Sequence, residues 1–264
     1  MGIDTVQICY DDGVNGESCF SPVSLSWGGI KEGLISWWSM NETSGTRADS
    51  HGSNDLTPIN TPGYESGKVS NALDLTTVNS EYLECVSPTG TVGTSSDFTF
   101  GAWLKRDGAG GDEAILSLTN NYGENNADID FCIWYDDDMW YAAITATPTS
   151  GITEAYWIDN TVSPRIDSEA KDGVWEFCVF VYDSADAQAG NPALELFVNN
   201  ESRGKVSCET DPQNNHDRIS FGRFRSWSYG NGSIDEAFYY NRKLTTDEIS
   251  TLYNSGSGVS YADL

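Results

Sequence analysis

An all-β fold, a two-sheet antiparallel jelly-roll sandwich with one short C-terminal helix and an N-terminal arm, is what the amino-acid sequence predicts. Three observations predict it. Apolar residues alternate with polar ones in many short runs, Gly, Asn, Asp and Ser cluster between those runs, and no β–α–β alternation occurs. Nucleotide-binding α/β folds are thereby excluded, and 264 residues suffice for one large sandwich.

Residues 1–32 stand apart as the arm: they are short, turn-rich and cysteine-bearing, with Asp11-Asp12-Gly13 and Asn15-Gly16 as turn signals. Of the six cysteines, Cys9 and Cys19 bracket that loop and form the candidate disulfide, although six thiols allow 15 pairings. Cys132 and Cys178 fall inside strand patterns and read as small buried residues. No Cys-x-x-Cys occurs, which argues against a zinc ribbon.

The main domain is read over 33–256. Leu34 to Met40 is aromatic and β-prone. Phe98, Phe100, Ala102 and Leu104 share one face of a strand, and Ile115 to Leu118, Ile129 to Tyr135 and Trp140 to Ala146 follow. Trp175, Phe177, Val179 and Val181 share a face, as do Leu194, Leu196 and Val198. Ile219 with Phe221, then Ile234 to Tyr240, complete the strands. One helix is predicted. Thr245 to Glu248 is a capping box, Ile249, Leu252 and Tyr253 make an i, i+3, i+4 stripe, and Gly256 is the expected stop. Residues 257–264 are expected to form a tail, with Ser255 to Gly258 as a flexible exit.

Composition limits the partners. Forty acidic residues against 14 Lys and Arg give a formal charge of −26, which excludes a nucleic-acid binder and disfavours an anionic membrane surface. No apolar run approaches the roughly 18 residues of a membrane span. Met1 to Gln7 has neither the basic nor the apolar region of a secretory signal, and Gln7 breaks the myristoylation pattern. The acidity fits a solvated surface, and equally a cation-rich setting in which carboxylates gather calcium.

The order of elements resembles the laminin-G-like jelly-roll domains of the concanavalin A-like lectin and glucanase superfamily. The residues that carry the resemblance begin with Gly33-Leu-Ile-Ser-Trp-Trp-Ser-Met-Asn-Glu-Thr-Ser-Gly45 and Ala48-Asp-Ser-His-Gly-Ser-Asn54. They continue through Gly67-Lys-Val-Ser-Asn-Ala-Leu-Asp-Leu75, Phe98 to Leu104, Asp172-Gly-Val-Trp175 and Leu194-Glu-Leu-Phe-Val-Asn199. Gly232-Ser-Ile-Asp-Glu236 and Tyr240 to Glu248 close the series and are its most specific part. The resemblance implies two packed antiparallel sheets with binding loops along one edge. It also implies one structural calcium ion, held by Asp49, Asn54 and Asp235. The run Asp136, Asp137 and Asp138 is a second, weaker calcium candidate, although its place between two aromatic strands marks a hairpin loop.

Catalysis has little support. Glycoside hydrolases of this fold resemble one another in a strand with spaced carboxylates, whereas Asp128 and Asp130 lack the glutamates. Strict alternation would set Asp235 and Glu236 on opposite faces. Glycan binding would use exposed aromatics with Arg or Asn beside them, and Trp140, Trp157, Trp227, Tyr229, Arg223 and Arg225 are the candidates. Asn41, Asn200 and Asn231 open glycosylation triplets. Three functional readings follow. The first is a surface-exposed virion protein, a phage decoration or tail component, anchored through its arm to a protein shell or to copies of itself. The second is a secreted glycan-binding lectin-like module, and the third a polysaccharide hydrolase.

Overall fold

In the computed structural model the described residues are 3–6, 9–11, 17–19, 23–26, 29–91, 96–108, 113–119, 129–136, 139–145, 155–157, 171–185, 193–207, 217–225 and 228–264. The chain divides into two units, Met1–Gly33 and Leu34–Leu264.

The first unit holds two antiparallel pairs. Strand β1 (Ile3–Val6) pairs with β4 (Val23–Ser26), and β2 (Cys9–Asp11) pairs with β3 (Glu17–Cys19). In the second pair the register sets Cys9 directly opposite Cys19.

The second unit is a sandwich. Its strands in chain order begin with β5 (Leu34–Trp38), β6 (Thr57–Ile59), β7 (Gly63–Ser66), β8 (Asn71–Leu75), β9 (Tyr82–Val86) and β10 (Phe98–Arg106). Next come β11 (Glu113–Thr119), β12 (Ile129–Asp136), β13 (Met139–Thr145), β14 (Ala155–Trp157) and β15 (Trp175–Asp183). The last are β16 (Ala193–Val198), β17 (Glu201–Ser207), β18 (Arg218–Phe221), β19 (Arg223–Arg225), β20 (Ser228–Tyr229) and β21 (Gly232–Tyr240). One sheet has eight strands in the order β17-β16-β15-β10-β21-β8-β7, with β5 also on β21, and the other has seven, β14-β13-β12-β11-β18-β9-β6. Both are antiparallel throughout.

Alternation explains the core. Phe98, Phe100, Ala102 and Leu104 of β10 face the other sheet, as predicted, and meet Phe131, Ile133, Leu116 and Phe221 there. Ring centroids of Phe131 and Phe180 lie 4.2 Å apart across the gap. On β15, however, the inter-sheet face is Cys178, Phe180 and Tyr182. Phe177, Val179 and Val181 occupy the opposite face and are buried too.

A third layer buries that outer face. Helix α1 (Thr246–Tyr253) carries the predicted capping box and buries Ile249 and Leu252. Tyr253 stacks on Trp103 at 5.7 Å and meets Phe177 at 5.9 Å, while Trp37 stacks on Phe238 at 5.5 Å. The helix stops at Asn254 in the left-handed conformation, two residues before the expected Gly256, because Asn tolerates that conformation nearly as Gly does. Beyond it the chain stays on the sandwich: Tyr261 contacts Trp37, and its hydroxyl lies 3.1 Å from His51 Nδ1. No helix among the described residues is long and apolar enough to cross a membrane.

Candidate functional site

The loop that follows β5 is built around Asp49. Its Oδ1 accepts the backbone N–H groups of Trp37, His51 and Gly52, and its Oδ2 accepts that of Asn54, at 2.9–3.0 Å. A carboxylate saturated by four amides organises a loop and leaves no oxygen free for a cation. Asn54 is equally committed. Its amide donates to Ser36 Oγ and the Thr89 carbonyl, and its Oδ1 accepts from the Thr89 amide and hydroxyl. Ser36 and Trp37 alternate on β5, so Asn54 lies across the sheet from Glu236, which Trp37 Nε1 contacts. The trio Asp49, Asn54 and Asp235 is therefore not brought together as a ligand set.

Asp235 finds a different companion. Between Gly101↔Phe238 and Trp103↔Asp235 the single residue Ala102 faces both Glu236 and Ala237, a β-bulge, and Glu236 adopts φ 45°. Ile234, Ala237 and Tyr239 point into the inter-sheet core, and the bulge leaves both carboxylates on the outer face. This corrects the expectation of opposite faces. Asp235 is 0% and Glu236 1% exposed. Asp235 Oδ2 accepts from the Val69 amide at 2.8 Å, and Glu236 Oε2 accepts from Trp37 Nε1. Asp235 Oδ1 and Glu236 Oε1 have no partner. Burial pushes Asp235 up to about 7 against the pull of the Val69, Lys68 and Glu236 amides. Burial and then the Asp235 charge push Glu236 up to about 8, opposed by Trp37 and Ser39. A Cβ at Gly67 would lie 2.5 Å from Asp235 Oδ2, so only glycine lets that loop close on the pair. Displaced pKa values on neighbouring carboxylates are also a catalytic signature, yet this pair is sealed from any substrate.

Among the described residues no group of three or more His, Cys, Asp or Glu is placed to hold a metal ion. Calcium takes six to eight hard oxygens, of which Asp235 Oδ1 and Glu236 Oε1, both without a hydrogen-bond partner, could supply two.

The predicted glycan residues separate. Trp140 is 2% exposed, sits in the inter-sheet core and donates its Nε1 to Glu176 Oε2 at 2.7 Å, so it is a packing residue and not a ligand platform. Trp157 pairs with Ala143 at the edge of the seven-stranded sheet, and Arg225 pairs with Ser228. The side chains of Trp157, Arg225, Cys9, Cys19 and Asp136, together with all of Trp227, Asp137 and Asp138, lie outside the described residues. Asp136 pairs with Met139 at the end of the β12–β13 ladder.

Arg223 and Tyr229 do come together, with a residue the sequence reading missed. At Gly222 (φ 86°), where a Cβ would meet Leu75 at 2.5 Å, the chain leaves β18 and forms the β19–β20 hairpin. This brings Arg223 Nη1 within 3.0 Å of Tyr82 Oη, with the guanidinium 5.0 Å from the Tyr82 ring centre and 5.7 Å from that of Tyr229. The two rings lie 6.2 Å apart. Thr77 Oγ1 donates to the Tyr229 carbonyl and the Thr77 amide to Asn231 Oδ1, both at 3.4 Å. Arg223, Tyr229 and Asn231 are half-buried, and Thr77, Val78 and Asn79 are exposed. Tyr82 itself is buried at 7% exposure, so the open rim consists of the Tyr229 ring, one guanidinium and neutral hydrogen-bonding groups. Tyr82 opens β9 with its apolar neighbour Leu83 facing the core, and nothing in its local pattern pointed to the hairpin that reaches it.

Residues 79–250 match the family model of the concanavalin A-like lectin/glucanases superfamily. The chain belongs to that superfamily. No curated protein matches it in sequence. Among solved structures it is similar to the binding domain of paraclostridial mosquitocidal protein 1 (TM-score 0.65, 18% identity, 86% of this chain and 53% of that one). It is also similar to domain 4 of the extracellular arabinanase AbnA from Geobacillus stearothermophilus, solved with arabinotriose (TM-score 0.60, 16% identity, 86% and 98%). A third similar structure is the binding domain of botulinum neurotoxin DC in complex with SialylT (TM-score 0.60, 12% identity, 86% and 52%). The chain thus spans about half the length of the toxin binding domains and nearly all of the arabinanase domain.

Proposed function

We propose that this superfamily member is a non-catalytic, surface-exposed module that binds glycans at the rim formed by Tyr82, Arg223, Tyr229, Thr77 and Asn231. The observation that carries the reading is the half-buried guanidinium seated over the buried Tyr82 ring and the half-buried Tyr229 ring. It holds the rings in fixed orientation, and rigid aromatics bind sugar faces with little entropy lost. The ligands of similar binding domains, arabinotriose and SialylT, support a recognition role for the fold. Sealing of Asp235 and Glu236 supports the absence of hydrolysis. A structural calcium ion belongs, in this proposal, at those two carboxylates and away from the rim.

The separate pairings of residues 1–33 support a tethering role for the arm, and we place the module on a particle surface such as that of a virion. Native mass spectrometry of the full chain tests the tether, and a strictly monomeric chain that joins no assembly would remove it. For the rim, a glycan array with the wild-type chain and Tyr229→Ala is decisive: signal that vanishes in the variant is expected, and signal unchanged by it rejects the site.

A further inference from the structure

We propose that the rim selects uncharged glycans over sialylated, sulfated or uronate-bearing ones. The inference rests on the glycan-binding reading above and adds the class of ligand.

Long-range and local charge agree. With 40 acidic against 14 basic residues the whole surface repels an anionic ligand once it comes within the screening length, about 8 Å at physiological salt. At the rim, Asp107 is exposed and its carbonyl accepts from Asn231, while Glu81 precedes Tyr82 and accepts from the Thr76 amide at 2.8 Å and Asn79 at 3.1 Å. Asp74, on the neighbouring strand β8, senses the resulting field. Burial first, then the charges of Glu65, Glu81 and Asp107, hold its proton more tightly than usual, with Lys105 opposing.

The bases near this end are already engaged. Arg223 donates to Tyr82 and lies over both rings. Arg218 pairs with Glu84 at 3.2 Å and with Asp217 at 3.4 Å, and Lys105 pairs with Glu65. At Arg218 and Lys105 a carboxylate or sulfate would have to displace a carboxylate partner and leave it uncompensated, which is costly when the site is partly desolvated. At Arg223 it would have to break the Tyr82 hydrogen bond and the ring contacts. The groups that remain suited to a ligand are neutral: the Tyr229 ring, the Thr77 hydroxyl and the amides of Asn79 and Asn231. These match the C–H faces and hydroxyls of an uncharged sugar.

The test uses the full-length chain and matched glycan pairs, neutral oligosaccharides and their sialylated or sulfated counterparts, titrated calorimetrically at about 50 mM and about 500 mM NaCl. Neutral members are expected to bind with little salt dependence, and the anionic partners at least about tenfold more weakly at low salt, with the gap narrowing at high salt. Asp107→Asn, at an exposed position, should narrow the gap without changing neutral binding. Tighter binding of the anionic members, lost in Arg223→Gln, overturns the selectivity while leaving the rim as the site. Absence of binding to any member at either salt overturns the glycan reading, and the selectivity with it.

Discussion

At the residue scale the sandwich depends on one carboxylate that gathers four backbone amides and on two that each keep an oxygen without a partner. Asp49 illustrates the first kind. Replacing it with Ala orphans four amides, those of Trp37 and Asn54 buried and those of His51 and Gly52 partly so, the buried ones worth about 1 kcal/mol or more each. Asp49→Ala should therefore lower the unfolding free energy by about 2 kcal/mol or more, whereas exposed Asp107→Asn should stay within about 0.5 kcal/mol. Urea titration separates the two. Asp235 and Glu236 illustrate the second kind. Their folded pKa values, about 7 and about 8, lie above those of the unfolded chain, so the folded state holds the extra protons. Their contribution is present in full below about pH 4 and is lost as pH rises through 7 to 8, at up to about 1.4 kcal/mol per pH unit for each group. With a chelator present, melting temperature should fall between pH 5 and pH 8.5, and Asp235→Asn with Glu236→Gln should flatten the profile. Adding calcium at pH 8 should restore the midpoint of the wild type and leave that double variant unmoved. A flat wild-type profile would reject the proton-holding pair.

At the element scale, the C-terminal helix and the arm each make a separate prediction. Thr245→Ala removes the cap and should cost about 1 kcal/mol. Leu252→Ala should cost about 2–5 kcal/mol and change the emission of Trp103, which stacks against the same helix. In the arm, antiparallel partners have Cα atoms about 4.5–5.5 Å apart, within the range a disulfide spans. Cys9 and Cys19 should accordingly resist alkylation until a reductant is added, while Cys178, buried with its thiol pushed well up, should resist alkylation until the chain unfolds. Elements were legible in the sequence to the extent that one rule governed them. Alternation placed Phe98 to Leu104 and the capping box placed α1. On β15 alternation grouped Phe177, Val179 and Val181 on one face. It did not say which face meets the other sheet, because both are apolar in mid-strand and the polar Glu176 lies on the inter-sheet side. Alternation failed at Glu236, because a bulge inserts a residue and a residue name carries no signal for that. Asp49 reads as a metal ligand or a loop anchor equally well, since its four amide partners leave no trace in side-chain pattern.

At the scale of the whole molecule, charge is the dominant feature. A formal charge of −26 on 264 residues makes self-repulsion a general destabilising term, which salt screens. Raising NaCl from about 20 mM to about 500 mM should raise the melting temperature, and an unchanged value would mean that the carboxylates are already neutralised by bound cations.

The three-layer arrangement also bears on biosynthesis. The aromatic face of Trp37, Trp103, Phe177 and Phe238 is contributed by strands that leave the ribosome before α1 does. During translation that face has nothing of its own chain to cover it, and a sticky, half-finished sheet is what chaperones capture or what precipitates. Nonsense or frameshift lesions between residues 241 and 245 should thus yield insoluble product, even though every strand of the sandwich has been made.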